Sequence, residues 1–378
     1  MILFLLLYLS IYPLVPYYAF RKIKAAFLPG RKAEIGIALF MAIMIAAPIM
    51  VRLSERLGLE TGARFWAYAS FSWMGMLFLF LALAVTVDLG RFAVLAAEKI
   101  LPRKLPRTTI SPRQLFAAQA LLVVAVYGYG TFEAADIRLE QIEIASPKIT
   151  KNTGRLRIAQ ISDVHLGLIV REKRLKSIFS RIREAQPDIL VSTGDLVDGQ
   201  LNHFVKEAGL LAALKPPLGK FAITGNHEFY AGLQEALDFT ERSGFTLLRR
   251  QGVVVGGINL VGVDDPAVSS FAREPAGSER DLLAALPKEN FTLLLKHRPK
   301  IDPASLGLFD LQLSGHTHKG QIFPFNLLTW FFYPQRSGQL TSLKSGFLYL
   351  SRGTGTWGPP IRFLAPPEVT IIDLVPAK

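Results

Sequence analysis

Residues 156–165 read LRIAQISDVH, and this stretch decides the fold of the second half of the chain. Its first six residues, Leu156–Ile161, form a short, mostly apolar run with β-branched side chains, which is typical of a buried strand. Asp163 and His165 follow this run. Because side chains two residues apart lie on the same face of an extended segment, these two converge without any helix. The stretch therefore predicts a strand that ends in two metal-binding side chains.

Short apolar runs alternate with amphipathic stretches from about residue 155 onward. The stretches Glu172–Glu184 and Asn202–Leu214 separate the first three runs, which favours α/β layering. Few helical stretches separate the later runs, so we expect a second sheet packed on the first. The predicted strands are Leu156–Ile161, Ile189–Ser192, Phe221–Thr224, Val253–Val255, Asn259–Val263, Phe291–Leu295, Leu311–Leu313, Phe347–Leu350 and Val369–Leu374.

The first third of the chain contains four long stretches without a charged residue. A helix needs about 20 apolar residues to cross a bilayer, within a range of about 17 to 25. Buried core helices are the alternative, but a soluble helix normally keeps a polar stripe. The first stretch could also be a signal peptide, although it lacks a basic start and a small-residue cleavage site. The stretches are Met1–Phe20, Ile35–Val51, Phe65–Val87 and Leu115–Phe132, with 20, 17, 23 and 18 residues.

These lengths predict a domain organisation in three parts. Residues 1–132 form a helical membrane domain with spans at about 2–20, 35–51, 65–87 and 115–132. Residues 133–154 mix charges with turn-forming residues and are predicted to be a connector. Residues 155–378 form the second domain.

Basic residues between the stretches predict the orientation of the chain, because loops rich in lysine and arginine tend to stay cytoplasmic. With four spans, the second domain then faces the outer side of the membrane. One span more or fewer reverses this orientation. The first loop contains Arg21, Lys22, Lys24, Arg31 and Lys32, the second Arg52, Arg56 and Arg64, and the third Arg91, Lys99, Arg103, Lys104, Arg107 and Arg113.

The composition excludes several kinds of site and partner. The sequence has no cysteine, which excludes disulfides, thiolate ligands and a cysteine nucleophile. Its net charge of +13 comes from 16 basic and 9 acidic residues up to residue 150, and from 27 and 21 after it. Neither part is typical of a nucleic-acid-binding protein. We also infer no specific protein partner.

Further metal-binding side chains follow the other predicted strands. Loops at strand ends assemble the sites of open α/β sheets, and glycines 194, 225 and 315 permit the tight turns that aim a neighbouring side chain inward. Five of the six histidines lie in this set, and His203 does not. The sequence thus predicts one site lined by Asp163, His165, Asp195, Asn226, His227, His297, His316 and His318.

The order of these motifs resembles that of the calcineurin-like metallophosphoesterases, and most of all their bacterial branch with N-terminal membrane segments. The resemblance covers about residues 155–375 and implies a four-layer α/β/β/α sandwich. The motifs are Asp163-x-His165, Gly194-Asp195-x-x-Asp198, Gly225-Asn226-His227-Glu228, His297 and Gly315-His316-x-His318.

The resemblance also implies a set of ligands for each of two divalent metal ions. It assigns Asp163, His165 and His318 to the first ion. It assigns Asn226, His297 and His316 to the second, and Asp195 to both. Carboxylate, amide and imidazole ligands without sulfur suit manganese, iron or zinc.

The implied activity is that of a membrane-anchored phosphohydrolase that cleaves a phosphoester or pyrophosphate bond. Two ions can activate a water molecule between them as the nucleophile. His227 would protonate the leaving oxygen, Glu228 would orient a ligand, and Asp198 would be structural. Arg352 or Arg362 could clamp a phosphate, the alternative being ordinary ion pairs. The expected partners are the bilayer and a phosphate-containing small molecule or lipid-linked substrate.

Two alternatives to this activity stay open at the level of sequence. The ligands alone also allow hydrolysis of a non-phosphate ester. A non-catalytic membrane sensor or scaffold could keep the metal site for structure, although it would have no need of His227.

An aromatic stretch, Phe323–Tyr333, directly follows the metal-binding histidines. One interpretation is core packing or a lid strand. The other is a lip that rests on the bilayer or holds an acyl chain, since tryptophan and tyrosine favour membrane interfaces.

Overall fold

A computed structural model describes residues 8, 10–101, 110–151, 154–199, 204–271 and 278–377. His203 and three basic residues of the third loop, Arg103, Lys104 and Arg107, lie outside these ranges. The chain divides into two compact units, with the main division between Thr131 and Phe132. We describe each unit by itself.

The first unit is helical. Among the described residues, three helices are long and apolar enough to cross a membrane, and they contain the predicted spans 35–51, 65–87 and 115–132. Residues 1–7 and 9 of the predicted first span lie outside the described ranges. The helices are α1 (Leu14–Phe27), α2 (Arg31–Arg56), α3 (Glu60–Ile100) and α4 (Pro112–Ala135), of which α2, α3 and α4 are the membrane-capable ones.

Polar side chains fasten α1 to α3 in this unit. Lys22 lies 2.6 Å from Asp88, and the Tyr18 hydroxyl donates to the same carboxylate at 2.6 Å. Pro48, which interrupts the second apolar stretch, lies inside α2 without ending that helix.

The second unit contains two six-stranded sheets within the described part of the chain. The strand order is β1-β12-β2-β3-β4-β5 in one sheet and β10-β11-β9-β8-β7-β6 in the other. The strands are β1 (Arg138–Ser146), β2 (Leu156–Ile161), β3 (Ile189–Ser192), β4 (Lys220–Ala222), β5 (Thr246–Leu247), β6 (Gln251–Val255), β7 (Ile258–Gly262), β8 (Phe291–Leu295), β9 (Leu311–Ser314), β10 (Leu340–Leu343), β11 (Gly346–Leu350) and β12 (Glu368–Pro376).

The helices of this unit connect the strands. They are α5 (Glu172–Ala185), α6 (Val205–Ala212), α7 (Asn226–Ala231), α8 (Leu233–Arg242), α9 (Ala267–Phe271), α10 (Glu279–Ala284) and α11 (Phe325–Phe332). Two short 3-10 turns, Pro303–Ser305 and His318–Gly320, accompany them.

The buried side chains form three layers of core that stack the two sheets between helices. Ile158, Val191 and Leu293 belong to the core between the sheets. Ile178 and Phe239 pack helices α5 and α8 on the outer face of the first sheet, and a smaller cluster that includes Leu283 covers the second. The predicted four-layer α/β/β/α sandwich is therefore confirmed.

Two segments differ from the sequence interpretation. β1 lies within the predicted connector and pairs in parallel with β12 along its whole length. It is an edge strand with exposed charged residues, so its sequence does not show the apolar run of a central strand. The aromatic stretch Phe323–Tyr333 forms the exposed helix α11, so the interpretation as core packing or a lid strand is wrong.

Candidate metal centre

The carboxyl ends of five strands position the predicted ligands. Asp163 and His165 follow β2, Asp195 follows β3, Asn226 follows β4, His297 follows β8, and His316 and His318 follow β9. Neighbouring strands β2, β3 and β4 are parallel, as are β8 and β9, so within each sheet these ends meet at one edge. The structure brings six of these side chains together in groups of potential ligand atoms, and Asn226 is the first residue of α7, directly before His227. All of the seven are buried except His316, which is half-buried.

One group of donor atoms consists of Asp163, His165 and His318, which lie within 4.8 Å of one another. The Nε2 atoms of the two histidines are 3.0 Å apart, and His318 Nε2 lies 3.5 Å from Asp163 Oδ1. Burial lowers the pKa of His318 well below its usual range, and the nearby Arg362 lowers it further. Two unprotonated imidazole nitrogens at this distance repel each other unless a cation or a proton lies between them.

A second group consists of Asp195, His297 and His316. His297 Nε2 lies 3.3 Å from Asp195 Oδ2 and 3.2 Å from His316 Nδ1. The Nδ1–H of His297 donates to the carbonyl oxygen of Thr193 at 2.8 Å, which directs the other ring nitrogen into the group. Burial, and then the charge of His297, lowers the pKa of His316 to about 3. Burial would also lower the pKa of His297, but Asp195 raises it to about 10, so His297 would have to release a proton on binding an ion.

Asp195 connects the two groups. Its Oδ2 atom lies 3.3 Å from His297 and 3.7 Å from His165, so one carboxylate faces a histidine of each group. Burial alone would raise its pKa, but His297 and His227 hold the pKa of Asp195 well below its usual range. Asp195 is therefore an anion between the two groups.

The ligand loops adopt a backbone conformation that non-glycine residues usually avoid. A positive φ in such a residue costs about 1 to 3 kcal/mol and persists only where the surroundings enforce it. The backbone N–H groups of Asp163 and His165 donate to the carbonyls of Gly194 and Asp195, both at 3.0 Å, and hold the two loops together. Five predicted ligands have this conformation: Asp163 (φ 51), His165 (φ 53), Asp195 (φ 51), His316 (φ 76) and His318 (φ 49).

His227 and Asp198 form an ion pair beside the two groups. His227 Nδ1 lies 2.9 Å from Asp198 Oδ1, and the His227 backbone N–H donates to Asp195 Oδ1 at 2.8 Å. Burial would lower the pKa of His227, but the carboxylates of Asp195 and Asp198 raise it to about 9. Asp198 Oδ1 also lies 3.4 Å from His165 Nδ1, so this carboxylate faces both the predicted acid and a predicted ligand, and its structural role stays a prediction.

Glu228 acts on the backbone and does not reach a ligand side chain among the described contacts. Its carboxylate accepts from the N–H groups of Gly225 at 2.6 Å, Asp195 at 3.0 Å and Leu196 at 2.8 Å. It therefore ties the loop after β3 to the loop after β4.

The two arginines considered as phosphate clamps are engaged elsewhere. Arg362 is fully buried and donates to the carbonyls of Gly355 and Arg352. Arg352 pairs with Glu368 at 2.6 Å and with Glu140. Arg362 also lies 3.1 Å from Nδ1 of His318, whereas the charge of Arg352 is paired with two carboxylates. These contacts favour ion pairing and packing for Arg352, and the phosphate clamp stays a prediction.

Aromatic side chains surround the site, and sequence reasoning missed most of them. The rings of Tyr230 and Trp357 lie 5.2 and 5.8 Å from that of His227, and Phe271 packs on Tyr230 at 5.1 Å. On the other side, the ring of Tyr333 lies 5.4 Å from that of His316. Of these residues, Tyr333 belongs to the aromatic stretch Phe323–Tyr333, and the others lie in three separate segments of the sequence.

The residues present fit bound metal ions. The donors are carboxylates, imidazoles and one amide, which suit divalent ions. Asn226 Oδ1 is buried without a hydrogen-bond partner among the described residues, which suits an atom that serves as a ligand.

A family model for calcineurin-like phosphoesterases matches residues 156–320. An uncharacterized metallophosphoesterase of Aquifex aeolicus is 37% identical over 257 residues, which cover 67% of this chain and 97% of that protein. The chain belongs to the calcineurin-like phosphoesterase family. This family is metal-dependent, and the predicted resemblance is confirmed.

Other relatives combine the same domain with membrane segments. A zebrafish (Danio rerio) transmembrane protein with metallophosphoesterase domain is 32% identical over 271 residues, which cover 68% of this chain and 62% of that protein. Among solved structures, a 5'-nucleotidase precursor of Thermus thermophilus aligns with a TM-score of 0.36 and 15% identity. That alignment covers 58% of this chain and 54% of the nucleotidase, so this chain spans about half of its length.

Proposed function

We propose that this phosphoesterase is a membrane-anchored dinuclear metal-dependent hydrolase that cleaves a phosphoester or pyrophosphate bond. The observation that carries the proposal is the position of Asp195, whose carboxylate faces a histidine of each donor group at 3.3 and 3.7 Å. A single structural ion would not require a second group of histidines beside the first.

In this proposal Asp163, His165 and His318 hold one ion, Asn226, His297 and His316 hold the other, and Asp195 contacts both. Manganese, iron and zinc all suit these donors. A pair of such ions supplies Lewis-acid charge for the phosphoryl oxygens and lowers the pKa of water to generate the nucleophile.

His227 is the general acid. Its Nδ1 atom forms an ion pair with Asp198 Oδ1 at 2.9 Å, and in the protonated ring the Nε2–H is the proton available to the leaving oxygen. The neighbouring carboxylates of Asp195 and Asp198 favour its imidazolium form. This pairing also argues against a purely structural metal site, which needs no acid.

The test is hydrolysis by the purified full chain with Mn²⁺, using p-nitrophenyl phosphate, bis-p-nitrophenyl phosphate and p-nitrophenyl acetate. We expect phosphoester hydrolysis that EDTA removes and Mn²⁺ restores. Asp195→Ala and His316→Ala should lose at least about 100-fold in kcat, as expected when a ligand to a catalytic metal is lost. His203→Ala, at the one histidine outside the set, is the matched control.

The same assay separates the alternatives. Equal hydrolysis by all variants would contradict the proposed site. Turnover of the acetate alone would favour the non-phosphate esterase, and a metal-loaded protein inert on a broad phosphate panel would favour a sensor or scaffold.

A further inference from the structure

Helix α11 exposes its apolar side chains to a degree unusual for a protein surface. It begins five residues after the last 3-10 turn of the metal loop, and none of its eight residues, all described, is buried. Leu327, Trp330, Phe331 and Phe332 are each 62 to 77% exposed. The sequence of the helix, FNLLTWFF, has no charge. Large contiguous apolar patches on soluble proteins mark interaction sites.

The two polar residues of α11 contribute to its inner side. The backbone of Asn326 packs so closely on Gly320 that any Cβ at position 320 would collide with it. The Thr329 hydroxyl donates to the carbonyl oxygen of Asn326 at 3.1 Å, within the helix itself. The usual arrangement of a surface helix, with apolar residues inward and polar residues outward, is thus reversed.

We propose that α11 lies in the interfacial layer of a lipid bilayer, with its apolar side chains inserted among the acyl chains. Interfacial helices bury an apolar face in this layer, and tryptophan is enriched there. Arg336, exposed four residues after the helix, supplies positive charge that attracts anionic headgroups. The proposal concerns a binding surface and stands independently of the hydrolytic reaction.

The connection between α4 and the phosphoesterase domain favours a lipid bilayer as the partner of α11. Membrane-capable helix α4 ends at Ala135, and β1 of the phosphoesterase sheet begins at Arg138. Two connecting residues extend at most about 10 Å. The last residues of α4 belong to the second unit, in which Arg174 donates to the carbonyl of Ala134 and the Leu364 N–H donates to Glu133 at 2.8 Å. The domain is therefore confined close to a membrane surface.

A second protein is the less suitable occupant. Protein interfaces combine an apolar centre with hydrogen bonds at about one per 100 to 200 Å². The outward side chains of α11 are leucine, phenylalanine and tryptophan, of which only the Trp330 indole offers a polar group. Lipid needs no such partners.

Seating α11 in the interfacial layer places the metal centre at the headgroup level. The helix connects directly to Tyr333, whose ring lies 5.4 Å from that of His316. A phosphate held at lipid headgroups can then reach the ions without leaving the membrane. This extension to a lipid phosphoester or pyrophosphate rests on the proposed function, whereas the position of α11 does not.

Spin labelling tests the position of α11 directly, because the sequence has no cysteine and each introduced one is unique. The full chain carrying Phe331→Cys or Leu327→Cys, with a nitroxide attached, is reconstituted in vesicles of phosphatidylcholine and phosphatidylglycerol. Collision with oxygen, which partitions into lipid, is compared with collision with a water-soluble nickel chelate. Ser180→Cys, exposed on α5, is the matched aqueous control.

We expect both α11 labels to collide several-fold more with oxygen relative to the chelate than the Ser180 label does. An aqueous profile at both positions would overturn the proposal. So would immobilised labels shielded from both reagents, which would indicate a protein partner. If hydrolysis were lost while the α11 labels still collided mainly with oxygen, that result would contradict the proposed function and leave the position of α11 supported.

Discussion

At the scale of single residues, the proposed acid His227 and its neighbour Asp198 predict the direction in which the reaction depends on pH. Asp195 and Asp198 oppose the effect of burial and raise the pKa of His227 to about 9. A general acid is active while protonated, so the rate of the chemical step falls as pH rises through this pKa. Bound cations lower the pKa in every variant, so the informative quantity is a difference between variants.

Asp198→Asn should shift the alkaline limb of the kcat profile to lower pH. Removing one carboxylate 2.9 Å from the imidazole lowers the pKa of His227, by roughly 1 to 3 units for a neighbouring opposite charge. Asparagine keeps the size and shape of the side chain beside the imidazole and removes only its charge. The measurement is kcat against pH with an alkyl phosphoester, whose leaving group needs a proton. An unshifted limb would show that another group is the acid.

Gly315→Ala should reduce the metal content of the protein. A Cβ at this position would collide with Ser162 Oγ and Asp163 Oδ2, and so displace a proposed ligand of the first ion. Metal affinity should fall by about 10- to 100-fold, as it does when groups that orient a ligand are disturbed. Elemental analysis after dialysis at limiting Mn²⁺ measures this loss.

Gly209→Ala is the control for that experiment. Gly209 lies on α6, where an added Cβ meets no described atom within 4 Å. It should leave the metal content unchanged. Equal metal content in Gly315→Ala would contradict the role assigned to Asp163.

The ligands were predictable from sequence, but their partners were not. Asp163, His165, His316 and His318 lie in short motifs whose spacing shows their chemistry. Arg352 acts through Glu140 and Glu368, and Glu140 is 212 residues away in the sequence. Nothing local to Arg352 distinguishes a buried ion pair from a phosphate clamp, because both need the same guanidinium.

At the scale of elements, Arg352 fastens β12 and β1 behind the site. It pairs with Glu368, which is fully buried on β12, and with Glu140 on β1. Arg352→Met would leave Glu368 buried without its cation, at a cost of about 3 to 5 kcal/mol. At about 2 to 4 °C per kcal/mol for a domain of this size, Tm should fall by roughly 10 °C.

Thermal unfolding of the detergent-solubilised protein measures this change. Lys176→Met, which removes only the exposed pair with Glu172, should shift Tm by no more than about 2 °C. A higher KM with unchanged Tm in Arg352→Met would instead support the hypothesis that Arg352 binds the substrate phosphate.

Strands buried on both faces were predictable, and elements at the edges were not. Every residue of β3, β8 and β9 is buried, so each appears in the sequence as a short, mostly apolar run, which is typical of a core strand. β1 mixes charged and apolar residues at the edge of its sheet, and its sequence therefore predicts a connector. α11 is apolar yet exposed, and burial rules for soluble proteins assign such a segment to the core.

At the scale of the whole molecule, the chain combines a metal-dependent phosphoesterase domain with helices capable of crossing a membrane. The alignment with the Aquifex protein covers 97% of that relative but 67% of this chain. The phosphoesterase domain is therefore the shared part. We propose that the helical part restricts this domain to substrates at or near a bilayer of the bacterial plasma membrane.

The side of the membrane that this domain faces follows from the basic loops. The segments after the first and third predicted spans carry more lysine and arginine than the segment after the second. We therefore propose that these two segments are cytoplasmic. With four spans, alkaline phosphatase fused after Ala377 should be active, because the enzyme matures only outside the cytoplasm. A fusion after Gly58, in the second loop, should also be active, whereas one after Leu101, in the third, should not. Activity after Leu101 and none after Ala377 would reverse the orientation and give the metal centre access to cytoplasmic phosphates.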